Sequence, residues 1–216
     1  MERSRTLIAA ALLFSCGCAS FNSGDIRTSG EEKRRMTSGR EAGPAAEIRV
    51  VWNNFPYKSA MDSIGEGRVQ PQPPSQIPVP PEDTAWLRER AAEIYGKAGL
   101  YDAHNGSGTI TISVTSYGRW TYGELFRSFL VDTGWIMIIP ASLRTNYRLT
   151  AEYRGPSGTA AAETAGRNKT TFHALLFPLY PFLPPGSAER SLLKKMLWRS
   201  ASDIYTKASR NGAAAR

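Results

Sequence analysis

Beyond residue 18 the chain contains no cysteine; its only two, Cys16 and Cys18, lie within the first twenty residues. No disulfide framework and no thiolate metal site can be built in the body of the protein. Histidine is as scarce, with His104 and His173 alone among 216 residues, so a zinc enzyme or a histidine-dependent triad has few routes. Gly65-Glu-Gly67 and Gly106-Ser-Gly108 lack the lysine and the following helix of a phosphate loop. No Gly-x-Ser-x-Gly elbow occurs. Asp102, His104 and Ser107 are neighbours in sequence, but three triad members within one turn read as a solvated loop. Asp132 reads as a turn cap, and Glu152 and Glu163 as surface acids on strands. No paired carboxylates stand at useful spacing. The expectation is a non-enzyme with no cofactor and no metal.

No apolar run reaches the roughly 20 residues of a membrane-spanning helix. What is present is concentrated at the start. Met1-Glu-Arg-Ser-Arg5 is a basic head, Leu7 to Phe14 an unbroken apolar run, and Ser15-Cys16-Gly17-Cys18-Ala19-Ser20 a small-residue exit. That order marks a secretory signal peptide over 1–15. It resembles the lipobox of bacterial lipoproteins, in which the cysteine at the cleavage point is acylated and becomes the first mature residue. Leu13-Phe14-Ser15-Cys16 keeps a leucine three places before the cysteine and favours Cys16. Gly17 is the better small residue and keeps Cys18 as the alternative. An ordinary signal peptide cut near Ala19 is the competing reading. The resemblance implies several acyl chains on one residue, which anchor stably where one chain does not. The residue after either cysteine, Gly17 or Ala19, is not aspartate. By likeness to the Gram-negative sorting pattern, this implies an outer-membrane location facing the periplasm.

The formal charge is +8 at pH 7; loss of Met1–Ser15 removes two arginines and one glutamate and leaves +7. Such a balance suits anionic lipid, lipopolysaccharide or acidic polymers, and export argues against nucleic acid. A hydrophobic content of 41% supports one modest core. Ala19 to Ala46 is rich in Ser, Gly, Glu, Lys and Arg. With the acylated cysteine it predicts a disordered tether over 16–46, with a reach of roughly 30 Å. A single domain is expected over 47–210 and a flexible tail over 211–216.

Within that domain, Glu47–Phe55 alternates as a half-buried strand with Ile48, Val50 and Trp52 inward. Gly65 to Pro81 is a proline-rich connector. Glu82–Ala98 is an amphipathic helix with prolines before it, acids in its first turn and Gly99 as its stop. Leu87, Ala91, Ile94 and Ala98 form its apolar stripe. Thr109–Thr115 is a strand with Ile110, Ile112 and Val114 inward. Arg144–Tyr153 places Tyr147, Leu149, Ala151 and Tyr153 on one face. A turn at Gly155-Pro156 returns the chain through Thr159–Thr170, whose alanines suggest a sheet edge. A last helix runs from Ser187, read as its N-cap, to about Ser209, burying Leu193, Met196, Leu197, Ser200 and Ile204. The expected fold is α+β, with a three- to four-stranded mainly antiparallel sheet and two helices on one face.

Two apolar segments flank the hairpin, Leu125–Leu143 before it and Phe172–Pro185 after it. A hairpin sets its outer ends side by side, so the segments should meet at the end away from Gly155-Pro156. Large apolar side chains are usually buried, so closing the bottom of the core is one reading. The other is a platform on the membrane or on an envelope membrane protein. Its contact residues would be Phe126, Phe129, Trp135, Ile136, Ile138, Leu176, Phe177, Tyr180 and Phe182, with Trp135 and Tyr180 at the interface. Arg119, Arg127 and Arg144 would meet anionic headgroups.

The order of strand, apolar segment ending in Trp135-Ile-Met-Ile-Ile-Pro140, hairpin, Leu175-Leu-Phe-Pro-Leu-Tyr-Pro-Phe182 and last helix is similar to that of uncharacterised bacterial envelope lipoproteins. The likeness covers roughly residues 108 to 205 and implies no catalytic residue. The strand–helix–strand opening is also distantly similar to lipoproteins that assist secretion or cell-wall synthases. The leading expectation is a non-catalytic, lipid-anchored envelope scaffold or accessory binding protein. The alternative is a carrier of a lipid or other apolar ligand, with a pocket lined by Phe129, Ile138, Leu176 and Phe182. An envelope hydrolase stands third.

Overall fold

The computed structural model describes residues 18–39, 43–56, 76–119, 141–172 and 185–214. Five strands make one mixed sheet: β1 (Cys18–Gly24), β2 (Glu47–Phe55), β3 (Thr109–Tyr117), β4 (Ala141–Gly155) and β5 (Gly158–Phe172). Their order in space is β1-β5-β4-β3-β2. Three helices complete the described residues: α1 (Gly30–Ser38), α2 (Pro81–Lys97) and α3 (Pro185–Ala214). The class is α+β, as the patterning implied, with a strand and a helix more than expected.

The core is one layer of helices on one face of the sheet. Alternation buries Ile110, Ile112 and Val114 of β3 and Tyr147, Leu149, Ala151 and Tyr153 of β4, which are the inward residues expected. Against them lie Leu87, Ala91, Ile94 and Tyr95 of α2 and Leu192, Leu193, Met196, Leu197, Ala201 and Ile204 of α3. Each large side chain removed from water there contributes about 1.5–3 kcal/mol. One polar contact joins the two helices inside this layer, the Tyr95 hydroxyl lying 2.8 Å from Ser200 Oγ. Burial disfavours the phenolate, so the Tyr95 pKa is raised.

Helix α2 forms where proline, then Glu82 and Asp83, precede an apolar stripe. It ends in a Schellman motif. Leu100 N–H donates to Tyr95 O at 2.9 Å and Gly99 N–H to Gly96 O at 3.0 Å. That closure needs a left-handed residue, and Gly99 has φ +69°. The helix carries the chain from β2 to β3, which pair in parallel; the other strand pairs are antiparallel.

Three expectations are corrected. First, β5 is not an edge, because β1 pairs with it from Cys18↔Phe172 to Gly24↔Gly166. Its small inward residues, Ala160, Ala162, Thr164 and Gly166, make room for α3 instead. A Cβ at Gly166 would stand 2.9 Å from Leu192 Cδ1 and Met196 Sδ. Second, much of the expected tether is folded. Polar residues suffice for β1 because its backbone bonds are completed by the β5 edge. Helix α1 is nucleated by a capping box. Ser29 Oγ accepts from Glu32 N–H at 3.1 Å and the Glu32 carboxylate accepts from Ser29 N–H at 2.7 Å. Third, α3 begins at Pro185, which places Ser187 in its first turn rather than at its cap.

Candidate functional site

One end of the sheet gathers several chain segments. There β2 and β3 finish, β4 begins, β5 finishes and β1 begins. Cys18, Phe172 and Ala141 stand side by side across three strands, since Cys18 pairs with Phe172 and Phe172 with Ala141. The hairpin therefore sets its outer ends together, as the sequence implied. Strand β1, which opens at Cys18, starts beside them.

A polar clamp sits just inside this end. Arg119, two residues past β3, donates through Nε to Glu189 of α3 at 2.7 Å and through Nη2 to Asp83 of α2. The Tyr147 hydroxyl donates to the same Glu189 oxygen at 3.0 Å. The guanidinium lies 4.9 Å from the centre of the Trp52 ring, in cation–π range. Burial opposes the charge on Arg119, but Glu189 and Asp83 outweigh it, and its pKa is raised. The clamp binds the N-terminal ends of both helices to the residue just past β3. Nearby, Trp52 Nε1 donates to Ser116 Oγ at 3.0 Å, and Ser116 Oγ to Asn54 Oδ1 at 2.8 Å. This buried chain ties β2 to β3.

Arg119 was expected to meet lipid headgroups. It is instead committed to two carboxylates, with its side chain 12% exposed. The charge pattern misled because its acidic partners are 36 and 70 residues away in sequence. Arg144 lies on β4 opposite Lys169 of β5, on the face away from the helices. Cys16, Arg127 and the platform residues Phe126, Phe129, Trp135, Ile136, Ile138, Leu176, Phe177, Tyr180 and Phe182 lie outside the described residues. Of the two cysteines, Cys18 is described as the first residue of β1.

No described element covers the second face of the sheet. Alternation puts Arg144, Asn146 and Arg148 of β4, Arg167 and Lys169 of β5, Tyr117 of β3, Phe55 of β2 and Phe21 of β1 there. Tyr117 and Phe55 stack, ring centres 5.4 Å apart. A shallow hollow of about 410 Å³ opens among Ser23, Tyr117, Asn146, Arg148 and Arg167. Apart from Arg144, these residues were missed in the sequence. The signal was there: on strands whose inward residues are known, every second position between is outward.

On the helical side a larger open cleft, about 940 Å³, lies between α1, the β1–α1 loop and α3. Lys33 sits over the Trp198 ring at 5.3 Å, and Arg199 reaches Asp25, Glu32 and Asp203 at 3.5–3.8 Å. The Asp102 loop is structural. Its carboxylate accepts from the backbone N–H of His104 and Asn105 and from the Asn105 side chain at 2.9–3.1 Å, which lowers its pKa. Among the described residues no group of three His, Cys, Asp or Glu could hold a metal, and no helix is long and apolar enough to cross a membrane.

No protein-family model and no curated protein matches the chain. Among solved structures, a dodecamer of a PelC point variant from Paraburkholderia phytofirmans is similar at 12% identity and a TM-score of 0.34, over 85% of this chain and 97% of that one. A likeness so distant assigns this chain to no family.

Proposed function

We propose that the chain is a lipid-anchored protein of the bacterial envelope, held in the outer membrane and facing the periplasm. It acts without catalysis, as a scaffold or accessory binding protein. The acylated residue is Cys16, with Cys18 the alternative. The apolar segments around Trp135 and Phe177 form its platform against the bilayer or an envelope membrane protein. One observation carries the reading. Cys18, Ala141 and Phe172 are neighbours at one end of the sheet. The lipid attachment and the roots of both apolar segments therefore share that end. The +7 charge left after loss of Met1–Ser15 supports contact with an anionic surface.

Metabolic labelling with a fatty-acid analogue tests the anchor. It should mark the wild type and not a variant with Cys16→Ala and Cys18→Ala. Labelling of neither form would remove the anchor from the account. Trp135→Ser with Phe177→Ser tests the platform: binding to liposomes should weaken while the domain stays folded. If the variant unfolds instead, those residues are core.

A further inference from the structure

We infer that the sheet face turned away from the helices is a docking surface for the phosphate layer of an anionic bilayer, at its half nearest Cys18 and Phe172. This deepens the membrane-bound reading above by naming the lipid chemistry and the residues that meet it. Two rows of side chains define the surface. Register sets Phe21, Lys169 and Arg144 in one row and Ser23, Arg167, Asn146 and Tyr117 in the next.

Charge distinguishes the two halves of this face. The far half neutralises itself, with Arg49 paired to Glu47 at 2.9 Å and Arg154 to Glu152 at 3.4 Å. Among the described residues the near half holds Arg148, Arg167 and Lys169; Glu163 is paired with Arg148 at 3.1 Å, and Asp25, beside the hollow, with Arg199 at 3.6 Å. Arg167 Nε donates to the neutral amide oxygen of Asn146 at 3.0 Å, which orients its guanidinium without cancelling its charge. Lys169 is exposed and makes no ion pair among the described residues. Exposed aromatics flank these cations, Phe21 at 51% and Tyr117 at 46%. Cations between an apolar ring and an amphipathic one, Phe21 and Tyr117, suit a headgroup interface.

Position agrees with charge. Phe21 is three strand residues from Cys18, so the first basic row lies about 10 Å from the end of the sheet. Cys16 is two residues before Cys18, a span of at most about 7 Å. Acylation at either cysteine therefore holds this row close to the membrane. A tether of roughly 30 Å reach would have left its distance from the bilayer unset. The surface and the roots of the two apolar segments meet at one corner of the domain, and that corner turns to the membrane.

The test uses the full chain with Cys16→Ala and Cys18→Ala, so that its outcome is independent of acylation. Partition is measured by co-flotation with phosphatidylcholine vesicles and with mixed phosphatidylglycerol–phosphatidylcholine vesicles. The gain on adding phosphatidylglycerol is the readout, because residues common to all variants contribute equally. Arg167→Gln with Lys169→Gln should cut that gain about thirty-fold, two cations' worth near an anionic surface. Arg49→Gln with Arg154→Gln removes equal charge from the far half and should leave it unchanged. Circular dichroism should show the same fold for all three proteins. An equal gain for the parent and the first variant overturns the proposal, as does an equal loss in the second. Binding to soluble dextran sulfate without a gain on anionic vesicles also overturns it, in favour of an acidic polymer. Failure of fatty-acid labelling, by contrast, leaves this readout intact.

Discussion

The β4–β5 hairpin and the N-terminal hook, β1 with α1, belong to one sheet and one helical layer, yet they are held by different physics. The hairpin is fastened by side chains. Tyr147, Leu149, Ala151 and Tyr153 are buried beneath α3, and alternation declares them. The hook is fastened mainly by backbone. Its buried apolar residues, among the side chains described, are Ile26 and Met36; otherwise a polar strand borrows the β5 edge, and Arg199 draws in Asp25 and Glu32. Apolar burial makes the hairpin part of the cooperative core. Backbone pairing and exposed charge leave the hook a separate, weaker unit that opens at lower free energy. Composition foresees the first kind of structure and misreads the second as disorder.

The comparison is broken most forcefully from the hairpin side. Leu149→Ala empties a fully buried site between β3, β5 and the helices. It should cost about 3 kcal/mol in chemical denaturation and lower the midpoint for the whole domain. A loss confined to the hook would place the core elsewhere.

The clamp gives the next largest effect. Arg119→Ala leaves Asp83 and Glu189 facing each other without their cation and should cost about 2 kcal/mol. Arg119→Ala with Asp83→Asn and Glu189→Gln should recover part of that loss, as removing whole charge sets does where removing one member does not. The same stability for the single and the triple variant would mean that the clamp contributes packing on Trp52 rather than charge balance.

The limits of the sequence follow from the same contrast. Period-two burial made β3 and β4 legible residue by residue, and period 3.6 gave the main stripes of α2 and α3 but not Tyr95, Leu192 or Ala201. Both signals are local. The acidic partners of Arg119 stand on two helices remote in sequence, so its role was not legible. Nor was the edge pairing of β1, because a backbone ladder leaves no mark on side-chain composition. Helix α1 is different: Ser29-x-x-Glu32 is a capping box that could be read, and charge-rich surroundings masked it. The apolar segments were legible as apolar, and pairing at Ala141 and Phe172 places their roots together.

The hook can be loosened without touching the core. Ser29→Ala removes the oxygen that caps Glu32 N–H and should cost α1 about 1 kcal/mol. In hydrogen exchange that is roughly a five-fold loss of protection, confined to Gly30–Ser38. Strands β3 and β4 should exchange as before. Equal loss there would show that hook and core open together and would end the distinction between them.

The smallest effect is the most specific to the junction. Asp203 of α3 shares Arg199 with Asp25 and Glu32 of the hook. Burial raises its pKa; Arg199 opposes that rise and the two hook carboxylates add to it. A carboxyl raised in the fold binds protons more readily there than in the open chain. Its charge therefore works against the closed hook above the folded pKa, and the penalty fades as pH falls towards the unfolded value near 3.9. Glu32 runs the other way. The Ser29 N–H lowers its pKa, so its contribution is present above the unfolded value near 4.3 and is lost on acidification through the folded one. In the wild type the two trends oppose each other in acid, Asp203 acting above its unfolded value near 3.9 and Glu32 below its own near 4.3. Asp203→Asn removes one of them. Hook protection should then be unchanged or slightly higher at pH 7, within about 0.5 kcal/mol, and should fall more steeply in acid. Lower protection at pH 7 would mean that the Arg199–Asp203 pair outweighs the crowding of three acids. The hook would then be held by side-chain charge as much as by its backbone ladder.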